Sequence, residues 1–442
     1  MKRLYDVIIC GSGPSGLFAA IKLAGKGLQV AILDSGPDLN ERIKNPMGLF
    51  GFGGSGAKND GKLIFSKITG GRLNEIIGDV KLENYLLESK KIWLNFIGDL
   101  EIDDFTNLSS HKLVKQAKDL GLELIVSDTI HVGSDLLPNV LNNIREYLIQ
   151  NNVDIIMNCN IQEIEVNKYG IKLYSPDSIF DTKYAIIAPG RGGAKWLQQQ
   201  SQKIGLKQIN NNCDVGVRVE VPFEIVQHLT DELYEFKLKY ITPSYHDEVR
   251  TFCVAPRGRV IEEQHDNLIL VNGYSNKNKN SQNTNFAFLS SIKLEEPESN
   301  PLEFSENIIK TVNSIAQGSM VQRLQDLVEY KRTKTLKWNQ VIPSLKTASC
   351  GDLALAYPYR FVTNIIEGLQ GIDKIAPGIF NNDTLLFSPE VKLYSSMVQV
   401  DEHMESNISN LYCIGDGSGI SHGLVQSSIS GLIAAYHILE QQ

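Results

Sequence analysis

The stretch YDVIICGSGPSG, Tyr5 to Gly16, decides the fold. Residues 5 to 10 form a short apolar run rich in β-branched side chains, the signature of a buried strand, and the pattern G-x-G-x-x-G follows at once. LFAAIKLAGKG (17 to 27) predicts a helix that ends at Gly25 and Gly27, and LQVAILD (28 to 34) predicts a second strand closing on Asp34. The spacing is that of a β-α-β unit with glycines at its first turn and an acid at the tip of its second strand. Gly11 permits the tight turn, Gly13 lets backbone approach a pyrophosphate, and Gly16 lets helix pack on strand. A helix N-terminus there offers free N–H groups and partial positive charge to phosphate, while Asp34 is placed to accept hydrogen bonds from ribose hydroxyls. These residues predict a dinucleotide site and leave open which dinucleotide.

Two later segments bear on that choice. NLYCIGDGSG, Asn410 to Gly419, reads as a strand running into Gly415-Asp416-Gly417, and GLVQSSISGLIAAYHIL then reads as a terminal helix. VDIIMNC (153 to 159) predicts a strand, followed by a meander, IQEIEVNKYGIKLY and IFDTKYAIIAPG, that ends at Ala188-Pro189-Gly190. An N-terminal G-x-G-x-x-G, a small-residue turn after a meander and a C-terminal strand ending in Gly-Asp, in this order, resemble the glutathione-reductase-like and fumarate-reductase-like FAD superfamily. The resemblance implies FAD, with Asp416 on the ribityl chain and the amides of Gly423, Leu424 and Val425 at the flavin N1/C2=O edge. Negative charge collects at that edge on reduction, and a helix N-terminus suits it. The implied contact set is Gly11, Gly13, Pro14, Ser15, Gly16, Asp34, Ser35, Gly53, Gly54, Asp60, Lys62, Ile161, Pro189, Gly190, Gly415, Asp416, Gly423, Leu424 and Val425. His422 is a candidate flavin-edge or substrate contact, with an ordinary loop histidine as the alternative.

The segment GAKNDGKL, Gly56 to Leu63, nearly spells a nucleotide-triphosphate P-loop, but Leu63 stands where the magnesium-binding hydroxyl belongs and no strand precedes it. Within GFGGSGAKNDGKLIFSKITGG (51 to 71) it is similar to G-F-G-G-A-G-x-x-S-D-G-K-L of a group of bacterial and archaeal FAD-dependent dehydrogenases, with Ser55 and Asn59 as departures. VGVRVEVP (215 to 222), RTFCVAPRGRV (250 to 260), VNGYSNKNKNSQNTNFAF (271 to 288) and SPEVKLYS (388 to 395) extend that resemblance over most of the chain. It implies a flavin-contact loop in which Lys62, fixed by Asp60, steadies reduced flavin or positions a substrate. A salt bridge that only orders the loop is the other reading. The group often carries a second cysteine two residues after the position of Cys253; Ala255 stands there, which argues against a dithiol mechanism.

Composition bounds the rest. The 442 residues suit two or three lobes, and a net charge of -8 gives no footprint for nucleic acid. The six cysteines show no C-x-x-C or Cys/His spacing, which predicts no metal and a reduced, cytoplasmic setting. The basic start MKRLYDVIIC breaks at Gly11 too soon for a signal peptide, and no run reaches membrane-span length. From about 200 to 370 strands alternate with polar turns and two helices. Arg250, Arg257 and Arg259 there are candidates to clamp a substrate carboxylate, or else take part in ordinary salt bridges.

The expected architecture is α/β. A Rossmann-like FAD-binding domain, with a parallel sheet, helices and a β-meander, covers 1–90, 130–200 and 370–442. An inserted α+β substrate domain covers 200–370, and a helical connecting segment 90–130. The expected function is an FAD-dependent oxidoreductase moving hydride between a small organic substrate and non-covalent FAD, with Lys62, His422 and Arg250 as catalytic candidates. No second dinucleotide motif occurs, so NAD(P)H as electron donor would bind only transiently. An oxygen-using oxidase or monooxygenase, an RNA-modifying flavoprotein and a non-catalytic flavin-binding or redox-sensing protein are the alternatives.

Overall fold

The computed structural model describes the chain apart from residues 1, 45–49, 59–60, 106–110, 134–135, 210–212, 234, 266, 275–280, 293, 295–300 and 393–396. It divides into two compact units, one of residues 1–106, 127–211 and 395–442, the other of 107–126 and 212–394.

In the first unit β1 (Lys2–Cys10) pairs in parallel with β2 (Val30–Leu33) on one side and with the strand Ile179–Ile187 on the other. Asp154–Ile156 extends the parallel sheet beyond β2, and Leu411–Cys413 pairs in parallel with Ile179–Ile187. The registers Cys10↔Leu33, Cys10↔Ile187 and Ile187↔Cys413 bring four strand ends level. Val7 and Ile9 enter one hydrophobic cluster while Ile8 and Cys10 enter another, so both faces of β1 are covered. That is why VIIC reads as a continuous apolar run instead of an alternating one. The meander Glu163–Asn167 and Gly170–Tyr174 adds antiparallel strands beside Ile179–Ile187.

Helix α1 (Pro14–Leu23) leaves the end of β1 through a turn in which Gly11 has φ +115°. A Cβ on Gly11 would lie 2.0 Å from the Ala188 carbonyl oxygen, so the turn is pressed against the neighbouring strand end. The terminal helix Leu424–Glu440 buries Leu424, Val425, Ile429, Leu432, Ile433 and Ile438, each worth about 1.5–3 kcal/mol of transfer free energy. It packs on α1 at backbone range: a Cβ on Gly431 would sit 2.0 Å from the Ser15 carbonyl oxygen.

The second unit is built on an eight-stranded sheet in which Cys213–Pro222 pairs antiparallel with Asn283–Ile292 and Leu385–Lys392. Val215, Val217, Val219 and Val221 alternate into a core with Phe286 and Phe288 under the helices Phe223–Leu233, Pro301–Ala316 and Tyr359–Asp373. Asp214, Arg218 and Glu220 alternate onto the opposite face and are also buried. Arg218 donates from Nε to Asn285 Oδ1 (2.7 Å) and from Nη2 to the Cys253 carbonyl (2.6 Å), with Glu390 3.5 Å from Nη1.

Two expected boundaries shift. The sequence places residues 370–394 in the nucleotide-binding part, but Leu385–Lys392 hydrogen-bonds between Cys213–Pro222 and Met320–Arg323 and so belongs to the second sheet. The stretch 90–130 is not a helical connector. The helix Asp79–Ile97 belongs to the first unit, while Glu123–Ile125 pairs with Lys237–Ile241 in the second. Strand pairing across more than 100 residues decides both cases, and no local pattern reports it.

Candidate flavin site

The site forms at the level strand ends of the first unit. Three turns far apart in sequence touch there. Gly11 meets Ala188; a Cβ on Gly417 would fall 2.2 Å from the Gly190 carbonyl oxygen, and one on Gly415 2.5 Å from Ser15 Oγ. Gly415 N–H donates to Ser430 Oγ at 3.1 Å, tying the Gly-Asp turn to the terminal helix.

Both helices that begin here lack a side-chain cap. α1 starts after Gly13 with Pro14 in its first turn, and the terminal helix starts after Gly423. Helix N-termini with uncapped amides are ready for anionic oxygen, and α1 follows the turn whose backbone a pyrophosphate can approach.

Asp34 departs from expectation. Its Oδ2 accepts from Ser12 N (2.9 Å) and Ser12 Oγ (2.6 Å), and its Oδ1 from Gly36 N (2.9 Å) and Gly51 N (2.8 Å). Four protein donors saturate the carboxylate, so Asp34 organises the loops around the turn.

Arg42, absent from the sequence-derived set, completes that scaffold. It is buried, and its Nη1 lies 3.1, 2.6 and 2.8 Å from the carbonyl oxygens of Gly51, Phe52 and Gly54. Its one sequence signal is position: it stands one helical turn after the buried Leu39, on the same face of Leu39–Lys44. The loop it holds lies on the phosphate turn, since Gly53 N–H donates to Ser12 O at 2.9 Å and a Cβ on Gly54 would fall 2.9 Å from Gly13 Cα.

Asp416 is held from two sides, by Arg191 Nε at 3.0 Å and His422 Nδ1 at 2.8 Å. Burial pushes its carboxyl upward, but the charges of His422 and Arg191 outweigh this and hold it below the usual range. Such a group stabilises the fold fully above its unfolded value, and the contribution disappears as pH falls through the lower folded value. Flavin release on acidification is therefore expected to start below the ordinary aspartate range in the native protein, whereas Asp416→Asn, which has no carboxyl to protonate, should hold flavin more weakly at neutral pH and lack that acid step. Coincident release curves, followed by flavin fluorescence, would remove this role. Arg191 directly follows the Ala-Pro-Gly turn, and no motif marks it.

The strip 66–71 is fastened to the start of the terminal helix. Gln426 Nε2 donates to Ser66 O (3.1 Å) and Thr69 O (3.0 Å), and His422 N–H to Gly70 O. Lys62 is buried on the strand Lys62–Phe65, opposite His131. Asp60 lies outside the described residues. Ile161 sits in the cluster behind the sheet, and Ser35 is exposed beside Asp34. Arg250 belongs to the second unit, where Asp214, Ser291 and Glu248 engage its guanidinium. Burial pushes the Cys413 thiol up to about 12 and raises Cys10 further, so neither is a thiolate at neutral pH. Among the described residues no group of His, Cys, Asp and Glu is arranged to hold a metal ion.

This donor set fits a flavin dinucleotide: two uncapped helix N-termini, turns in backbone contact and a carboxylate between them. Residues 6–58 match the family model for an FAD binding domain, and 212–392 that for an FAD-dependent protein, C-terminal domain-like. The chain belongs to the FAD-dependent oxidoreductases, and its cofactor is FAD. An uncharacterised protein of Clostridium beijerinckii is 23% identical over 466 residues, covering 98% of this chain and 80% of the relative. Among solved structures, glycine oxidase from Geobacillus kaustophilus is 12% identical with a TM-score of 0.40, covering 100% of this chain and 95% of the oxidase. L-proline dehydrogenase from P. horikoshii is 11% identical with a TM-score of 0.41, at the same two coverages. Likeness at that level says nothing about substrate.

Proposed function

We propose that this chain passes hydride between a small organic substrate and non-covalently held FAD, in a reducing, cytoplasmic setting, with NAD(P)H as a transiently bound donor. Bound FAD supplies a two-electron hydride acceptor and donor. The observation that carries the reading is the meeting of the turns at Gly11, Gly190 and Gly417 beside two uncapped helix N-termini.

Around the cofactor the chain's own residues bind and orient. The amides after Gly13 take the pyrophosphate, and Asp416, kept ionised by Arg191 and His422, accepts a ribityl hydroxyl. The uncapped amides of Leu424 and Val425 would stabilise negative charge developing on the bound cofactor. Lys62 and His422 are the catalytic candidates in this unit, the first as a buried lysine, the second as an imidazole hydrogen-bonded to Asp416 just before the terminal helix.

The test is a visible spectrum of the purified protein under anaerobic conditions, before and after NADPH or NADH and then air. Loss of the oxidised flavin band on adding nicotinamide is the expected result. An unbleached band would overturn nicotinamide as donor, and rapid reoxidation with hydrogen peroxide release would favour an oxidase. Lys62→Met is expected to retain flavin but lower the rate of bleaching. An unchanged rate would return Lys62 to a structural role.

A further inference from the structure

A surface strap lies in the second unit. From Lys331 to Cys350 the sequence KRTKTLKWNQVIPSLKTASC contains Lys331, Arg332, Lys334, Lys337 and Lys346 and no Asp or Glu, in a chain whose net charge is -8. Lys331 is matched by Glu329 at 2.7 Å. Among the described residues no carboxylate pairs with Lys334, Lys337 or Lys346.

The strap is anchored. Leu336, Val341, Leu345 and Ala348 pack against a cluster that includes Val260, Val271 and Phe387. Its backbone is pinned where Thr333 N–H donates to Gly351 O (3.0 Å), Ser344 N–H to Glu220 (3.1 Å) and Asn283 Nδ2 to Ile342 O (2.8 Å). Even so, two large apolar side chains of the strap stand in solvent, Trp338 at 82% exposed and Ile342 at 65%, with Tyr330 just before it at 77%. The Lys337 ammonium lies 5.0 Å from the centre of the Trp338 ring. A pinned segment that turns Leu336 and Val341 inward while leaving Trp338 and Ile342 outside presents apolar surface among unpaired cations.

We propose that this strap docks the protein on an anionic membrane surface, with Trp338 and Ile342 entering the headgroup boundary and Lys334, Lys337 and Lys346 meeting lipid phosphate. Indole prefers that boundary, and each nearby cation adds attraction to anionic lipid. Single-stranded nucleic acid also takes cations and aromatic rings, but Ile342 gives a base nothing to stack on, whereas acyl chains accept both side chains. No helix among the described residues is long and apolar enough to cross a membrane, so contact through the strap would lie on the surface.

The holoprotein is mixed with vesicles of phosphatidylglycerol and phosphatidylcholine, or of phosphatidylcholine alone, and followed by sedimentation and tryptophan emission. Trp93 is buried but Trp196 is only half-buried, so the Trp338 emission is read as the difference between the parent and Trp338→Phe. Sedimentation with the anionic vesicles and a blue shift of that emission are expected, with little of either on phosphatidylcholine. Lys334→Ala/Lys337→Ala is expected to weaken vesicle binding about 25-fold, at roughly fivefold per charge. Trp338→Ala/Ile342→Ala should also release the protein, and both variants should keep the native flavin spectrum, which shows that they fold. The proposal is overturned if anionic vesicles do not sediment the holoprotein, if the variants bind as well as the parent, or if a labelled single-stranded RNA is retained in place of vesicles.

Discussion

Asp416→Ala is expected to yield a soluble protein that has lost most of its FAD. The carboxylate is partly buried between Arg191 and His422, so its removal deletes the ribityl acceptor and strands one guanidinium. A hydrogen bond to a charged group contributes about 1.5–3 kcal/mol, equivalent to roughly 10-fold to 100-fold in affinity. Flavin content per protein and the dissociation constant on adding FAD back read the effect. Full yellow occupancy in the variant would take Asp416 out of the site. Asp416→Asn separates charge from shape, because it retains an acceptor oxygen but no longer answers Arg191.

Gly431→Ala is expected to destabilise the first unit strongly. The added carbon would meet the Ser15 carbonyl oxygen at 2.0 Å, with Ala19 N and Ser15 C at 3.0 Å. All three are backbone atoms of α1, so relief requires the two helices to separate. Overpacking of this kind costs about 3 kcal/mol, which lowers Tm by roughly 6–12 °C in a unit of this size. Because Ser15 also abuts Gly415, the displacement should loosen flavin as well. A Tm within about 1 °C of the parent would show that the helices part without cost.

Residues that act through local pattern were legible before the structure. The run Tyr5–Gly16, the helix and β2 behind it, the meander and the Gly-Asp turn all follow from period, β-branching and glycine placement, which are properties of a few neighbouring residues. The parallel sheet follows from them, because a strand, helix and strand in succession can pack back in one hand. Lys62 and His422 could be singled out by type and position, but their partners could not.

Side-chain pairing and strand order were decided elsewhere. Asp34 has the right type and place for a ribose contact, and only the approach of Ser12, Gly36 and Gly51 shows its lone pairs already used. Arg42 and Arg191 look like surface cations in the sequence. Burial of the first against three carbonyls and the approach of the second to Asp416, 225 residues later by numbering, emerge only when distant segments meet. Likewise LLFSPEVK could have paired in either sheet on its own pattern. Its place beside DVGVRVEVP is set by long-range hydrogen bonds and by the shared core of Val215, Val219 and Leu386. Local chemistry thus determined the elements and the cofactor turns. The tertiary structure decided which charges are paired and which sheet each strand joins, because both depend on distances that no short stretch of chain encodes.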